Sequence, residues 1–408
     1  MNLTVICPHF APDLAPTGEV MTSIAEGWVA EGHRLHVVTA LPWYVQHAIE
    51  PGWEGRLVRH EDVPWGRITR VHPFPTDKTN IPARALAFGG FTVLSGLVAA
   101  LGRTRPDAVL AMSPPLTLGL AGWLVAKARR VPFVFNIQDV FPDVAIEAGV
   151  LTGRRAVDAA YRLERFTYER ADAVTVLSDD LHDNVVSKLP ATQAGKVHVI
   201  PNFIDTGRIG PGERENAYRR EYGLEGKTVV MYAGNLGFSQ PVELLLDAAA
   251  AMQDDPSVAF VVNGGGSAKD ALVRRAKGLP NVTFVGLQPK ERLAEVLAAA
   301  DIHVVLLRSG LARASVPSKL YSILAAARPL VASVDPGTEV ANTVERAGAG
   351  VSVRPGDAEA LTKALRQLIE QPEEARAMGE SGRSFVESWP SPAEIAARYS
   401  ELFASLAR

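Results

Sequence analysis

Ser315-Val-Pro-Ser-Lys-Leu-Tyr-Ser-Ile-Leu-Ala-Ala-Ala-Arg-Pro-Leu330 reads as an apolar helix that leads into a strand, Pro329-Leu-Val-Ala-Ser-Val334. The strand is short, branched and uncharged, the pattern of a parallel strand buried on both faces. Lys319 stands at the helix start, where unpaired N–H groups and the positive dipole end attract anions. Its ammonium adds a full charge there. A helix that feeds a buried strand is one unit of a doubly wound α/β fold.

The same alternation extends in both directions. Before residue 205 the chain predicts strands at 3–7, 34–39, 108–112, 133–137, 173–177 and 197–200, and a helix at 18–31 stopped by Gly32. After a polar stretch at 207–216, strands recur at 228–232, 259–263, 283–285, 302–306, 330–334 and 350–353, with helices between them. The fold class is therefore α/β, with two Rossmann-like doubly wound parallel-sheet domains. They span 1–204 and 205–385, and 386–408 form a last helix, set off by Trp389-Pro390, that crosses back to the first domain. Two such domains are expected to bind ligands in a cleft between strand C-terminal ends, hinged near residues 202–206.

A chain of 408 residues is too long for one ordinary core. Hydrophobic residues make up 47% and charged residues 21%, ordinary for a globular protein, and a net charge of −3 argues against bulk nucleic-acid binding. A lone cysteine, Cys7, excludes an internal disulfide, and Met-Asn-Leu-Thr-Val-Ile-Cys reads as a strand, not a basic leader. Both point to the cytoplasm. Residues 85–101 carry no charge and approach the length of a membrane span. Two readings stay open: a buried core helix, or peripheral contact with the inner face of the membrane, aided by Arg56, Arg59, Arg67, Arg70, Lys78 and Arg84.

Several motifs follow one another in a telling order. They are His9-Phe-Ala-Pro-Asp13 with Gly18, Glu31-Gly-His-Arg-Leu-His-Val-Val-Thr39, Arg105-Pro-Asp-Ala-Val-Leu110, Ile200-Pro-Asn-Phe-Ile-Asp205, Tyr232-Ala-Gly-Asn-Leu-Gly237, Asn281-Val-Thr-Phe-Val-Gly286 and Ala300-Asp-Ile-His-Val-Val305. Together they resemble the retaining glycosyltransferases of family 4 with the GT-B fold. Gln138-Asp-Val-Phe-Pro-Asp143 and Val316-Pro-Ser-Lys319 resemble the bacterial branch of colanic-acid and WbuB-like polysaccharide transferases.

That resemblance implies transfer of a sugar from a nucleotide diphosphate donor, UDP-linked by expectation, to a glycan or polyprenyl-diphosphate-linked acceptor. It implies no cofactor and no metal, and no Asp-x-Asp donor-metal motif stands at a strand end. The donor would meet Gly18, Gly234, Asn235, Gly264, Gly265, Gly266, Val285, Ser318, Lys319, Tyr321 and Ser322; the acceptor would meet His9, Thr17 and Gln138. Lys319, Asp139 and Asp13 are the catalytic candidates, Lys319 for the leaving diphosphate and the aspartates for the acceptor. Departures from the family pattern are concentrated here. Asn235 and Gln240 stand where relatives carry arginine and lysine, Ala314 and Ser322 where they carry glutamates, and Gln138 where they carry histidine. The rival readings are a GT-B nucleotide-sugar 2-epimerase and a non-catalytic GT-B partner subunit.

Overall fold

A computed structural model describes residues 1–44, 47–76, 81–147, 149–237 and 239–407, without the side chains of 81, 82 and 312. Lys78 lies outside the described residues. The chain divides into two units, Met1–Phe203 with Pro390–Arg408, and Ile204–Trp389.

Among the described residues the first unit holds eight strands: β1 Asn2–Ile6, β2 Arg34–Ala40, β3 Val58–Val63, β4 Gly66–Val71, β5 Ala108–Ser113, β6 Phe133–Ile137, β7 Ala173–Val176 and β8 Val197–Val199. Their spatial order is β3-β4-β2-β1-β5-β6-β7-β8. All pairs are parallel except β3 with β4. The order reverses between β1 and β5, so the loop after β1, which carries His9 and Asp13, opens at the switch point where α/β sheets take ligands.

The β3–β4 hairpin lies outside the strands expected from the sequence, and it changes the reading of the arginines. Arg70 is 1% exposed, not a surface cation. Its guanidinium bonds Glu61 at 2.9 Å, donates at 2.6 Å to the carbonyl of Ala11, and lies over the Trp53 ring. It ties the loop after β1 to the sheet edge. Arg67 is paired with Asp62 at 2.7 Å.

The uncharged segment forms the helix Ile81–Ala100. Only 28% of its Ala83–Ala100 window is buried, far less than a core helix requires. Ala87, Phe91, Ser95 and Ala99 face inward, while Leu86, Val93 and Leu97 are exposed. The helix packs on Leu118–Arg129, with Thr92 bonded to Thr117 at 2.7 Å and Gly96 against Ala121.

The last helix, Pro392–Leu406, begins with a capping box in which Ser391 and Glu394 satisfy each other's backbone N–H groups. It packs on Pro16–Ala30: Trp28 Nε1–H donates to the Ala396 carbonyl at 3.1 Å, and the Trp28 ring meets Tyr399 and Phe403. Tyr399 reaches further, accepting from Asn136 near the end of β6 at 2.7 Å.

In the second unit six parallel strands follow: β9 Thr228–Ala233, β10 Val258–Asn263, β11 Val282–Val285, β12 Ile302–Leu306, β13 Leu330–Ser333 and β14 Gly350–Val353. The order β11-β10-β9-β12-β13-β14 is that of the Rossmann fold. Its switch point lies between β9 and β12.

Candidate functional site

Two loops leave the β9/β12 switch point. The chain after β9 is Gly234-Asn235-Leu236-Gly237, and the chain after β12 leads to the helix Lys319–Ala325. Lys319 turns back onto the first loop. Its Nζ lies 3.9 Å from the centre of the Tyr232 ring and 2.9 Å from where a Cβ on Gly234 would sit. Gly234 also has φ 147°, a conformation that side chains rarely adopt, so glycine is required there twice over. Tyr232, the penultimate residue of β9, is held by its hydroxyl, which donates to the Asn235 carbonyl at 2.6 Å. Burial keeps that phenol well above its ordinary pKa, so it stays a donor.

The Lys319 side chain is half-buried along its length, but its Nζ is enclosed and has no hydrogen-bond partner. Burial pushes its ammonium down from the ordinary lysine value to about 7. The π-face of Tyr232 offsets part of that cost. A second enclosed atom without a partner, Gln240 Oε1, lies 3.3 Å from a Cβ position on Gly237, at the far end of the same loop. An unpaired buried charge is costly, and its retention at a switch point is the mark of a ligand site.

Gly264, Gly265 and Gly266, after β10, complete this surface. Leu236 N–H donates to the Gly265 carbonyl at 2.8 Å, Ala268 N–H to the Leu236 carbonyl at 2.9 Å, and Gly264 N–H to the Val285 carbonyl at 2.9 Å. A side chain at Gly264 would collide with the Gly234 carbonyl, and one at Gly266 with Leu236. Gly265 has nothing within 4 Å of its Cβ position and is open. The expected residues Gly234, Asn235, Gly264, Gly265, Gly266, Val285 and Lys319 are thus gathered around one loop.

Tyr321 is not. Two residues beyond Lys319, it lies on another face of the helix. It is 7% exposed, and its ring stacks on Trp389 at 4.7 Å. Ser318 precedes the helix and is exposed, and Ser322 lies one turn on from it, half-buried. Tyr232 escapes sequence reasoning; an aromatic residue at the end of a strand just before a glycine loop is the available signal.

The switch point of the first unit corrects several expectations. Asp13 is 2% exposed, and both its oxygens are engaged, Oδ2 with His9 Nδ1 at 2.6 Å and Oδ1 with the Tyr44 N–H at 3.1 Å. It therefore orients His9 and is not itself a base for the acceptor. His9 stacks on Trp43, and Tyr44 approaches it edge-on. Gly18 has no open space: His9 Cβ lies 2.8 Å from its Cβ position, so it admits the His9 loop, not a ligand. Thr17 occupies the first turn of the helix Pro16–Ala30 beside it, half-buried.

Gln138, 5% exposed, donates to Asn136 Oδ1 at 2.9 Å and accepts from Asn202 Nδ2 at 2.8 Å. Both ends of its amide serve the fold, which removes it from acceptor binding. Asp139 follows it, half-buried. No group of His, Cys, Asp and Glu able to hold a metal occurs among the described residues.

Comparison with known proteins gives the family. The profile of the glycosyl transferase 4-like domain matches residues 17–202, and that of the glycosyl transferases group 1 matches 214–385. A putative colanic acid biosynthesis glycosyl transferase, WcaI of Escherichia coli K12, is 28% identical over 90% of this chain and 92% of its own. A probable glycosyltransferase, WbjE of Pseudomonas aeruginosa, is 29% identical over 65% of this chain and 67% of its own. Among solved structures, sucrose-phosphate synthase from Thermosynechococcus elongatus superposes with a TM-score of 0.76 at 20% identity, covering 100% of this chain and 99% of that one. Anabaena HepE in complex with UDP-glucose gives 0.73 at 16% identity, covering both chains completely. With both domain profiles matched in chain order on two Rossmann-like units, this chain belongs to the family 4 glycosyltransferases of the GT-B fold.

Proposed function

We propose that this glycosyltransferase moves a sugar from a UDP-linked donor, with retention of configuration, to a glycan or polyprenyl-diphosphate-linked acceptor in cell-surface polysaccharide biosynthesis. One observation carries the reading: the Lys319 ammonium is enclosed at the β9/β12 switch point with no hydrogen-bond partner, against a glycine loop. A diphosphate supplies the anion this charge lacks. As the bond between the sugar and the phosphate breaks, negative charge grows on the leaving oxygen, and a preformed cation in a dry site stabilises it. Backbone N–H groups of the two loops other than those of Gly234, Leu236 and Gly264, which bond carbonyls of the fold, stand in for the arginine and lysine of relatives. Ser318 and Ser322 border the donor. No metal is required in this scheme.

On the acceptor side, Asp13 fixes the His9 ring with Nε2 turned away from it, and Thr17 and Asp139 border the acceptor. The leaving diphosphate takes the acceptor proton. Similar proteins support this reading: WcaI is assigned to colanic acid biosynthesis, and HepE is described with UDP-glucose and with UDP and glucose. We place the enzyme in the cytoplasm, with the exposed apolar side of Ile81–Ala100 resting on the inner face of the membrane, where a lipid-linked acceptor is presented.

Calorimetry with UDP-, GDP- and ADP-sugars on the wild type and Lys319→Ala tests the donor site. UDP-sugars are expected to bind the wild type in preference to the other two, with at least a tenfold loss in the variant. If no nucleotide sugar bound either protein, the proposal would fail. The anomeric configuration of the product, read by NMR, tests retention.

A further inference from the structure

The first unit contains a cavity of about 480 Å³ that belongs to neither switch point. It opens at the starts of β1, β2 and β4, among Asn2, Arg34 and Gly66, and its other wall is the end of the long apolar helix, Val98 to Arg103. A space of that size suits a small polar ligand. Three guanidinium groups line it, Arg34, Arg67 and Arg103, against one carboxylate, Asp62, which is already paired with Arg67. Arg34 and Arg103 are exposed and have no carboxylate partner among the described residues. At its floor, half-buried His36 and exposed His60 share the buried Thr69 hydroxyl at 3.0 and 3.1 Å. Burial first, and then the charges of Arg67, His60 and Arg129, push His36 down to about 4, so the interior carries a positive field without a protonated His36. The protein's net charge is −3, which makes this concentration of unbalanced cations a local feature, not a general one.

The apolar stripe on the neighbouring helix runs into the same cavity. Leu86, Val93, Leu97 and Leu101 are 79, 62, 57 and 81% exposed, and their spacing puts them on one side of the helix over about 22 Å. Leu101, the last of them, is part of the cavity wall. Apolar side chains that end at a pocket with two unpaired arginines, Arg34 and Arg103, match a molecule with a hydrocarbon tail and an anionic head.

We infer that this cavity is a binding site for the headgroup of an anionic phospholipid, with the phosphate held by Arg34 and Arg103 and the acyl chains laid along Leu101, Leu97 and Val93. The site rests on the membrane contact proposed above and makes that contact selective for negatively charged bilayers. The charge contact belongs to Arg34 and Arg103, not to Arg70, which the structure buries.

Co-sedimentation of the full chain with vesicles tests it, comparing pure phosphatidylcholine with equal parts phosphatidylcholine and phosphatidylglycerol. The wild type is expected to prefer the anionic vesicles. Arg34→Gln/Arg103→Gln should weaken that binding about 25-fold, at roughly fivefold per surface arginine. Val93→Ser/Leu97→Ser should weaken it as well. Arg376→Gln, an exposed cation of the second unit, should leave it unchanged, and nucleotide binding should be unaltered in all three. Unchanged binding of the arginine double variant, or an equal loss with Arg376→Gln, overturns the inference. Equal binding to both vesicle types, lost in the Val93/Leu97 variant, keeps the membrane contact but removes the headgroup site. Binding of free glycerol 3-phosphate with no vesicle binding makes the cavity a soluble-anion site and overturns the lipid assignment and the membrane contact together.

Discussion

Replacing Lys319 with methionine should stabilise the empty protein while it abolishes donor binding. The ammonium falls from the ordinary 10.5 to about 7 because burial penalises its charged form, and no acid offsets it. At ~1.4 kcal/mol per unit, that corresponds to about 5 kcal/mol of unfavourable desolvation as an upper bound. The sign follows from the proton balance. An unfolded lysine keeps its proton up to about 10.5, whereas the folded one gives it up near 7. The penalty is therefore fully present below pH 7 and fades as pH rises toward 10.5. Methionine keeps the length and apolar body of the side chain and removes the charge. If half the penalty survives local relaxation, the melting temperature of the second unit rises by about 5 °C or more at pH 6.5, at roughly 2–4 °C per kcal/mol for this size. The gain should shrink at pH 9. Scanning calorimetry at both pH values, beside titration with UDP-sugars, measures the two effects. A variant that melts lower than the wild type at pH 6.5, or whose gain grows with pH, would show that the ammonium is already compensated in the empty protein and would refute the reasoning.

Three further outcomes are expected. Gly234→Ala forces a side chain onto the Lys319 ammonium at an unfavourable φ, so it should lower donor affinity at least tenfold and cost about 1–3 kcal/mol of stability by thermal melting. Gln138→Leu removes the donor to the buried Asn136 Oδ1 and one acceptor of Asn202, and urea unfolding of the first unit should register a loss of about 1–3 kcal/mol, with donor affinity unchanged. Asp13→Asn, which loses the charged partner of His9 but keeps its shape, should lower kcat/KM for the acceptor more than it changes donor binding; equal effects on both would argue against an acceptor role.

The sheets are legible in the sequence where the strands are uncharged. Lys319 and Gly234 can be brought together from the sequence, because each follows a strand at the centre of a Rossmann order. The hairpin β3–β4 cannot, because its strands alternate with Arg59, Glu61, Arg67 and Arg70 and read as a solvated surface. Arg70 is buried only because Glu61, Trp53 and two carbonyls from the loop after β1 surround it, and no local pattern announces those partners. Gln138 and Asp13 fail as ligand candidates for the same reason. Each has one partner distant in sequence, Asn202 for Gln138 and the Tyr44 N–H for Asp13, and a polar residue in the chain after a strand looks identical whether it serves the fold or a substrate. Tyr321 is nearer to being readable: its helical phase relative to Lys319 already directs it elsewhere.

The return of the last helix to the first unit bears on how the polypeptide is made. Trp28 and Asn136 wait for Ala396 and Tyr399, which leave the ribosome only after the whole second unit. The second unit, Ile204–Trp389, is continuous and has all its strands in hand well before that. Order of synthesis and order of completion are therefore reversed: the half that starts first finishes last. A nascent chain that has emerged as far as residue 389 and no further should expose the apolar ring face of Trp28 and recruit chaperones, while its second unit is already closed to proteases.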